Sequence, residues 1–191
     1  IINKPLSIIG LNPNVIINGE KKDSVILITS SDVTLKNITI QNSGNRLDNL
    51  DSAIKISNAN NIEINDCKIK DVLFGIEANM MNNSKIIHNE ISSFLDNEIS
   101  LKGDALRLFY SNNNLISNNR IISSRDVSFA YSHKNKITKN HTELGRFALL
   151  IENSKGNLID ENHFKFNSVE LLLAGAKDTT VTNNIISKSI G

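Results

Sequence analysis

Disulfide chemistry is the first thing this sequence excludes. One cysteine, Cys67, occurs in 191 residues, so no intrachain bridge can form. Proline is confined to Pro5 and Pro13, which leaves the rest of the chain free to build uninterrupted hydrogen-bonded ladders. Neither sign of charge dominates. The 21 basic and 20 acidic residues leave a formal net charge of +1 with no basic run, so steering toward nucleic acid or an anionic membrane has no support. No apolar run is long enough to span a membrane, and there is neither a signal peptide nor an initiating methionine. The chain opens mid-repeat at IINKPLSIIG and stops mid-repeat at SKSIG, which is the expectation for a piece of a longer protein.

Isoleucine and asparagine are abundant instead, and they are phased. From Gly103 onward the chain repeats a short apolar run, a small polar break, and an Asn-x-Ile-x-x-Asn-x-Ile element. The central aliphatic of that element falls on Ile116, Ile137, Ile159 and Val181, at intervals of 21, 22 and 22 residues. The same marker recurs upstream at Ile86, Ile64 and Leu35, with two long intervals that hold polar inserts at 44–51 and 94–102. A fixed period of this length with period-2 alternation inside it is the signature of a stacked solenoid of short strands.

Alignment on the marker gives columns whose chemistry tests the phase. Ten residues upstream lie Val25, Ile54, Ile76, Leu106, Val127, Leu149 and Leu171; eight upstream lie Leu27, Ile56, Ala78, Leu108, Phe129, Ile151 and Leu173. Five downstream lie Ile40, Ile69, Ile91, Ile121, Thr142, Phe164 and Ile186. These columns are the predicted core faces. Three downstream, after Ile38 and Cys67, come Asn89, Asn119, Asn140, Asn162 and Asn184. Amides stacked at the ~4.8 Å spacing of neighbouring strands can bond one another and satisfy a buried turn.

The hairpin turns every eight to twelve residues that antiparallel closure needs are missing. The pattern predicts an all-β, single-stranded, right-handed parallel β-helix of about eight coils forming one domain over 1–191, with an Asn ladder. An incomplete first coil over Ile1–Gly19 has turns at Asn12-Pro13-Asn14 and Asn18-Gly19, and LDNEISL in the second insert has the composition of one helical turn.

The blocks GDALRLFYS (Gly103–Ser111) and RDVSFAYS (Arg125–Ser132), with LFGIEAN and NITIQNSG upstream, resemble the NosD-type maturation proteins of nitrous oxide reductase. The resemblance runs from about Val15 to Ile186. It implies a non-enzymatic periplasmic β-helix that works with the ATPase and permease of an ABC transporter. It further implies a copper chaperone or the reductase itself as partner, with copper as the metal handled. The family's pattern places His and Met in the two coils after Arg125–Ser132, where this chain has Leu150, Glu152 and Ala174. Imidazole and thioether are the ligands copper prefers, so their replacement argues against a copper site there.

Several residues invite chemistry. His141 and His163 share one column on adjacent coils and are either a metal-binding pair or an ordinary exposed one; His88 and His133 fall in other columns and read as solvated. Met80-Met81 sits at a turn and reads as a Cu(I) pair or as core filling, and Cys67 as a buried, inert thiol. Tyr110 and Tyr131 form a strip for a sugar or protein partner, or pack at an edge. Arg125 and Asp126, adjacent in sequence, should point to opposite sides and serve a turn or a partner contact. Glycan cleavage needs carboxylates converging on one face. Asp104 and Asp126 lie out of register by one position, so no catalytic residue is assigned. Beside the maturation reading stand a carbohydrate-binding or carbohydrate-cleaving β-helix and a plain structural spacer.

Overall fold

The computed structural model describes residues 1–12, 14–94 and 98–187. Parallel strands stack into three sheets of eight, eight and seven, and every neighbour in a sheet is the strand three places away in sequence. Each coil thus contributes one strand to each sheet. The architecture is a right-handed parallel β-helix. Its one helical turn among the described residues is the 3-10 stretch Ile99–Leu101 in the second insert; Leu95, Asp96 and Asn97 of the predicted LDNEISL turn lie outside them, as does Pro13.

The marker column is the spine of the first sheet. Leu35 pairs with Ile64, Ile64 with Ile86, and the register continues through Ile116, Ile137 and Ile159 to Val181. The second sheet holds the column from Ile40 to Ile186 in register, and it faces the core as far as Phe164, whereas Ile186 in the last coil is exposed. The third sheet corrects one coil. Ile26 and Ile28, not Val25 and Leu27, pair with Ile54 and Ile56 and face the core. In the run VILI every residue is apolar, so alternation could not fix the register; it is set by the strand partner. A bulge opposite Val127 also brings both Ala148 and Leu149 inside.

The coil turns through residues with left-handed backbone at fixed phases. Two residues past the marker, Asn37, Asp66, His88, Asn118, Lys139, Glu161 and Asn183 all have φ between 53° and 57°. Left-handed backbone costs a non-glycine residue roughly 1–2 kcal/mol, and the next position offsets it. Asn89 donates its amide to Asn119 Oδ1 at 3.0 Å, Asn119 to Asn140 at 2.9 Å, Asn140 to Asn162 at 3.0 Å, and Asn162 to Asn184 at 2.9 Å. Each Oδ1 also accepts from the backbone N–H of the preceding coil, beginning with Cys67. Every amide therefore satisfies one neighbour's side chain and one buried backbone group.

Two further ladders were not anticipated. Two residues before the marker, Asn135 Oδ1 accepts from both the backbone and the amide of Asn114, and Asn157 Oδ1 accepts from the Asn135 backbone. The hydroxyls of Ser111, Ser132 and Ser154 accept from the backbone of Met81, Ser111 and Ser132. The first of these was visible as the other asparagine of the repeat element. Both inserts leave between a second-sheet strand and a third-sheet strand, so they emerge at the same corner.

Candidate functional site

The coils around Asp104 and Asp126 bring together what sequence reading kept apart. Both carboxylates are buried, each 4% exposed. Arg125 donates through Nε and Nη2 to Asp104 Oδ1 at 3.1 and 2.9 Å, and Ser128 donates its hydroxyl to Asp104 Oδ2 at 2.8 Å. Arg125 Nε also lies 3.4 Å from Asp126 Oδ2, so these adjacent side chains share one side rather than diverging. The strand begins at Asp126, so Arg125 stands in the turn before it, outside the alternation that the prediction applied. Asp126 in turn accepts from Arg146 and from the Phe147 backbone N–H.

The result is a chain of alternating charge, Asp104–Arg125–Asp126–Arg146, running along the helix axis. Arg125 lies over the Phe74 ring at 5.9 Å and Arg146 over Phe147 at 4.9 Å. Burial pushes the Asp104 carboxyl above its ordinary range, Arg125 opposes the shift and the charge of Asp126 adds to it. The hydrogen bond to Asp126 raises Arg146. A raised carboxyl is what a general acid has, but all four carboxylate oxygens here already accept from the protein.

Tyr110 and Tyr131 occupy one left-handed corner position in adjacent coils, with φ of 48° and 50°. That conformation turns both rings outward, and they stack with centroids 5.2 Å apart and planes 21° apart. They are 47% and 40% exposed. The Phe109 ring meets both edge-on. Beside Tyr131 a groove of about 300 Å³ opens on the outer face of the third sheet, between Arg107 and Phe109 on one coil and Glu152 and Asn153 two coils on. Arg107 donates to the buried Glu77 at 3.2 Å, whose carboxyl burial raises against the pull of Arg107 and Lys55.

His141 and His163 are paired residues in the second sheet, as the columns predicted. Their rings meet edge to face at 4.9 Å. His141 Nε2 lies 3.4 Å from Glu143, which also accepts from Arg120 and Lys165. His163 Nε2 faces the Ser187 hydroxyl at 3.4 Å. Among the described residues no group of three or more His, Cys, Asp or Glu side chains converges. Met80 and Met81 point apart, one exposed and one in the core. Cys67 is buried and free, its thiol pushed up by burial. His133 differs from its reading as solvated: its Nδ1 accepts from the Lys155 backbone at 3.0 Å.

Two family profiles match this architecture. One, described as a right-handed β-helix region, covers residues 12–138; the other, described as "Periplasmic copper-binding protein (NosD)", covers residues 93–191. The chain belongs to the NosD family. No curated protein matches it. Among solved structures it is similar to the Dettilon tailspike protein gp208, with a TM-score of 0.64 and 14% identity over 96% of this chain and 45% of that one. The chain thus spans less than half the tailspike's length, and the likeness is one of fold. HetL, a pentapeptide repeat protein of Nostoc, aligns at a TM-score of 0.20 and 9% identity over 98% of this chain and 86% of its own, too low to bear on the fold.

Within this NosD chain, Leu150 and Glu152 pair with Leu172 and Ala174 on the outer face of the third sheet. Of Leu150, Glu152 and Ala174, Glu152 lines the Tyr131 groove, and none of the three is a soft ligand. No helix among the described residues is long and apolar enough to cross a membrane.

Proposed function

We propose that this β-helix is a non-catalytic periplasmic accessory protein that handles copper as cargo during maturation of a nitrous oxide reductase, beside an ABC transporter ATPase and permease. The NosD match over residues 93–191 supports the copper role. The single observation that carries the non-catalytic part is the closed chain Asp104–Arg125–Asp126–Arg146. Acid–base catalysis needs a carboxyl that exchanges its proton with substrate, and these two are committed to arginine.

The residues present offer copper a weak, transient site. His141 and His163 supply two imidazoles at touching distance, and Glu143 already engages one of them. Two imidazoles without a third ligand suit hand-over rather than storage. Titration with Cu(I) and Cu(II) under competition from a chelator of known affinity tests this. Weak binding lost in the double variant His141→Ala/His163→Ala is the expected result. Tight binding that survives the double variant overturns the site and points to Met80 or Cys67.

A further inference from the structure

The groove at Tyr131 has a shape that the register explains. Outward positions of the third sheet pair Arg107 with Ser128 and Phe109 with Ala130, then Ser128 with Leu150 and Ala130 with Glu152. The middle coil therefore presents two small residues between two coils of large ones. The large side chains stand two strand spacings apart, about 9–10 Å. That gap leaves room for one ring in contact with a neighbour on either side. At the corner, Tyr131 closes the notch with a ring already stacked on Tyr110. In the next coil Asn153 stands where a third aromatic would extend the stack, and Gly175 follows it.

Two of the polar groups around the notch are uncommitted. Among the described residues the Glu152 carboxylate and the Asn153 amide take no protein partner. The guanidinium of Arg107 has its charge met by Glu77 and keeps further N–H donors. Together these are aromatic faces, a floor of small residues, one unpaired carboxylate, one amide and one compensated guanidinium. We infer that the notch bounded by Phe109, Tyr131 and Glu152 binds a single sugar ring, neutral or amino and not acidic. The apolar C–H face of the ring stacks on the aromatic wall. Glu152 accepts from its hydroxyls or ammonium, while Asn153 and Arg107 donate. Because Glu152 is the one carboxylate lining the notch and takes no protein partner, a uronate is repelled. This site does not depend on the copper reading and lies on a different sheet from His141 and His163.

The chain supplies its own reporter. It has no tryptophan and two tyrosines, one lining the notch and the other stacked on it. Tyrosine emission is recorded while methyl glucoside, methyl galactoside, N-acetylglucosamine, glucosamine and glucuronate are added in turn. Saturation-transfer NMR on the same samples reports contact directly. The expected result is saturable binding with Kd on the order of 1 mM for the better neutral or amino sugars, and none for glucuronate. Glu152→Gln should weaken binding by about tenfold, the size of a charged hydrogen bond. Ala130→Leu, at an outward position, should fill the notch and abolish binding with no change in thermal midpoint; Glu152→Gln serves as the control if that variant is unstable. No binding by any sugar, tighter binding of glucuronate than of glucosamine, or binding untouched in both variants overturns the proposal. So does capture of an aromatic peptide in preference to every sugar.

Discussion

Asn119 donates its side-chain amide to Asn140 Oδ1 at 2.9 Å while the Asn119 backbone N–H donates to the same oxygen at 3.0 Å. One oxygen thus closes two bonds across neighbouring coils, and the other atom of the Asn140 amide reaches back to the Ile116 carbonyl as well as forward to Asn162. Replacement by leucine strands a backbone N–H and a carbonyl in a dry turn. Asn140→Leu should cost about 1–3 kcal/mol, read as a lower urea midpoint with an unchanged slope. A neutral result would show that water replaces the amide.

Close packing of coils makes a second residue intolerant for a different reason. A Cβ on Gly75 would lie 2.3 Å from the Ala105 carbonyl oxygen, a backbone atom that cannot turn aside. Gly75→Ala should destabilise by about 1–3 kcal/mol or more, as overpacking does, with weaker amide-exchange protection in the two flanking coils. Retention of the wild-type thermal midpoint would contradict the spacing.

Two buried carboxyls should give the stability profile opposite slopes. Burial alone would raise Asp51, but hydrogen bonds from the Arg46 backbone, the Asn49 amide and the Arg46 guanidinium outweigh it and hold it below its ordinary value. Its contribution is therefore complete above the ordinary Asp range and disappears as pH falls through the lowered value. Asp104 is shifted upward, chiefly by burial, so its contribution is complete below the ordinary Asp range and is lost as pH rises through the raised value. Urea midpoints across the acid range should show a shallower acid loss in Asp51→Asn and a shallower decline toward neutrality in Asp104→Asn. Profiles parallel to the wild type in both would refute the assignment.

No cleavage of uronic-acid polymers or neutral glycans is expected, because both candidate carboxylates are held by arginine. Reducing-end and unsaturated-product assays on the purified chain check this. Turnover that vanishes in Asp104→Ala or Asp126→Ala would make the protein an enzyme.

Much of the coil was legible because its columns obey geometry that repeats. Leu35 through Val181, and Asn89 through Asn184, sit where a constant period puts them, since a parallel stack forces equivalent residues into register. The failures have local causes. In Val25–Ile28 every residue is apolar and alternation carries no phase. Strand parity puts Arg125 and Asp126 on opposite sides, but Arg125 stands in a turn. The charge chain that links Asp104 to Arg146 depends on side chains reaching across coils, and the one-position stagger of Asp104 and Asp126 hid it. The notch at Ala130 was invisible for the same kind of reason: its walls come from residues two coils apart, and only pairing between strands shows that a small residue separates them.

The inserts at 44–51 and 94–102 leave the stack at one shared corner, with an uninterrupted coil between them. Length and pitch are thereby decoupled at that corner alone. The other two corners are stitched by asparagine and serine ladders, where one added residue would shift every amide out of reach of its neighbour. A foreign loop grafted between Leu73 and Phe74, in the intervening coil, would consequently extend a row of three protrusions, while the same loop placed beside Asn89 would cut the stack in two.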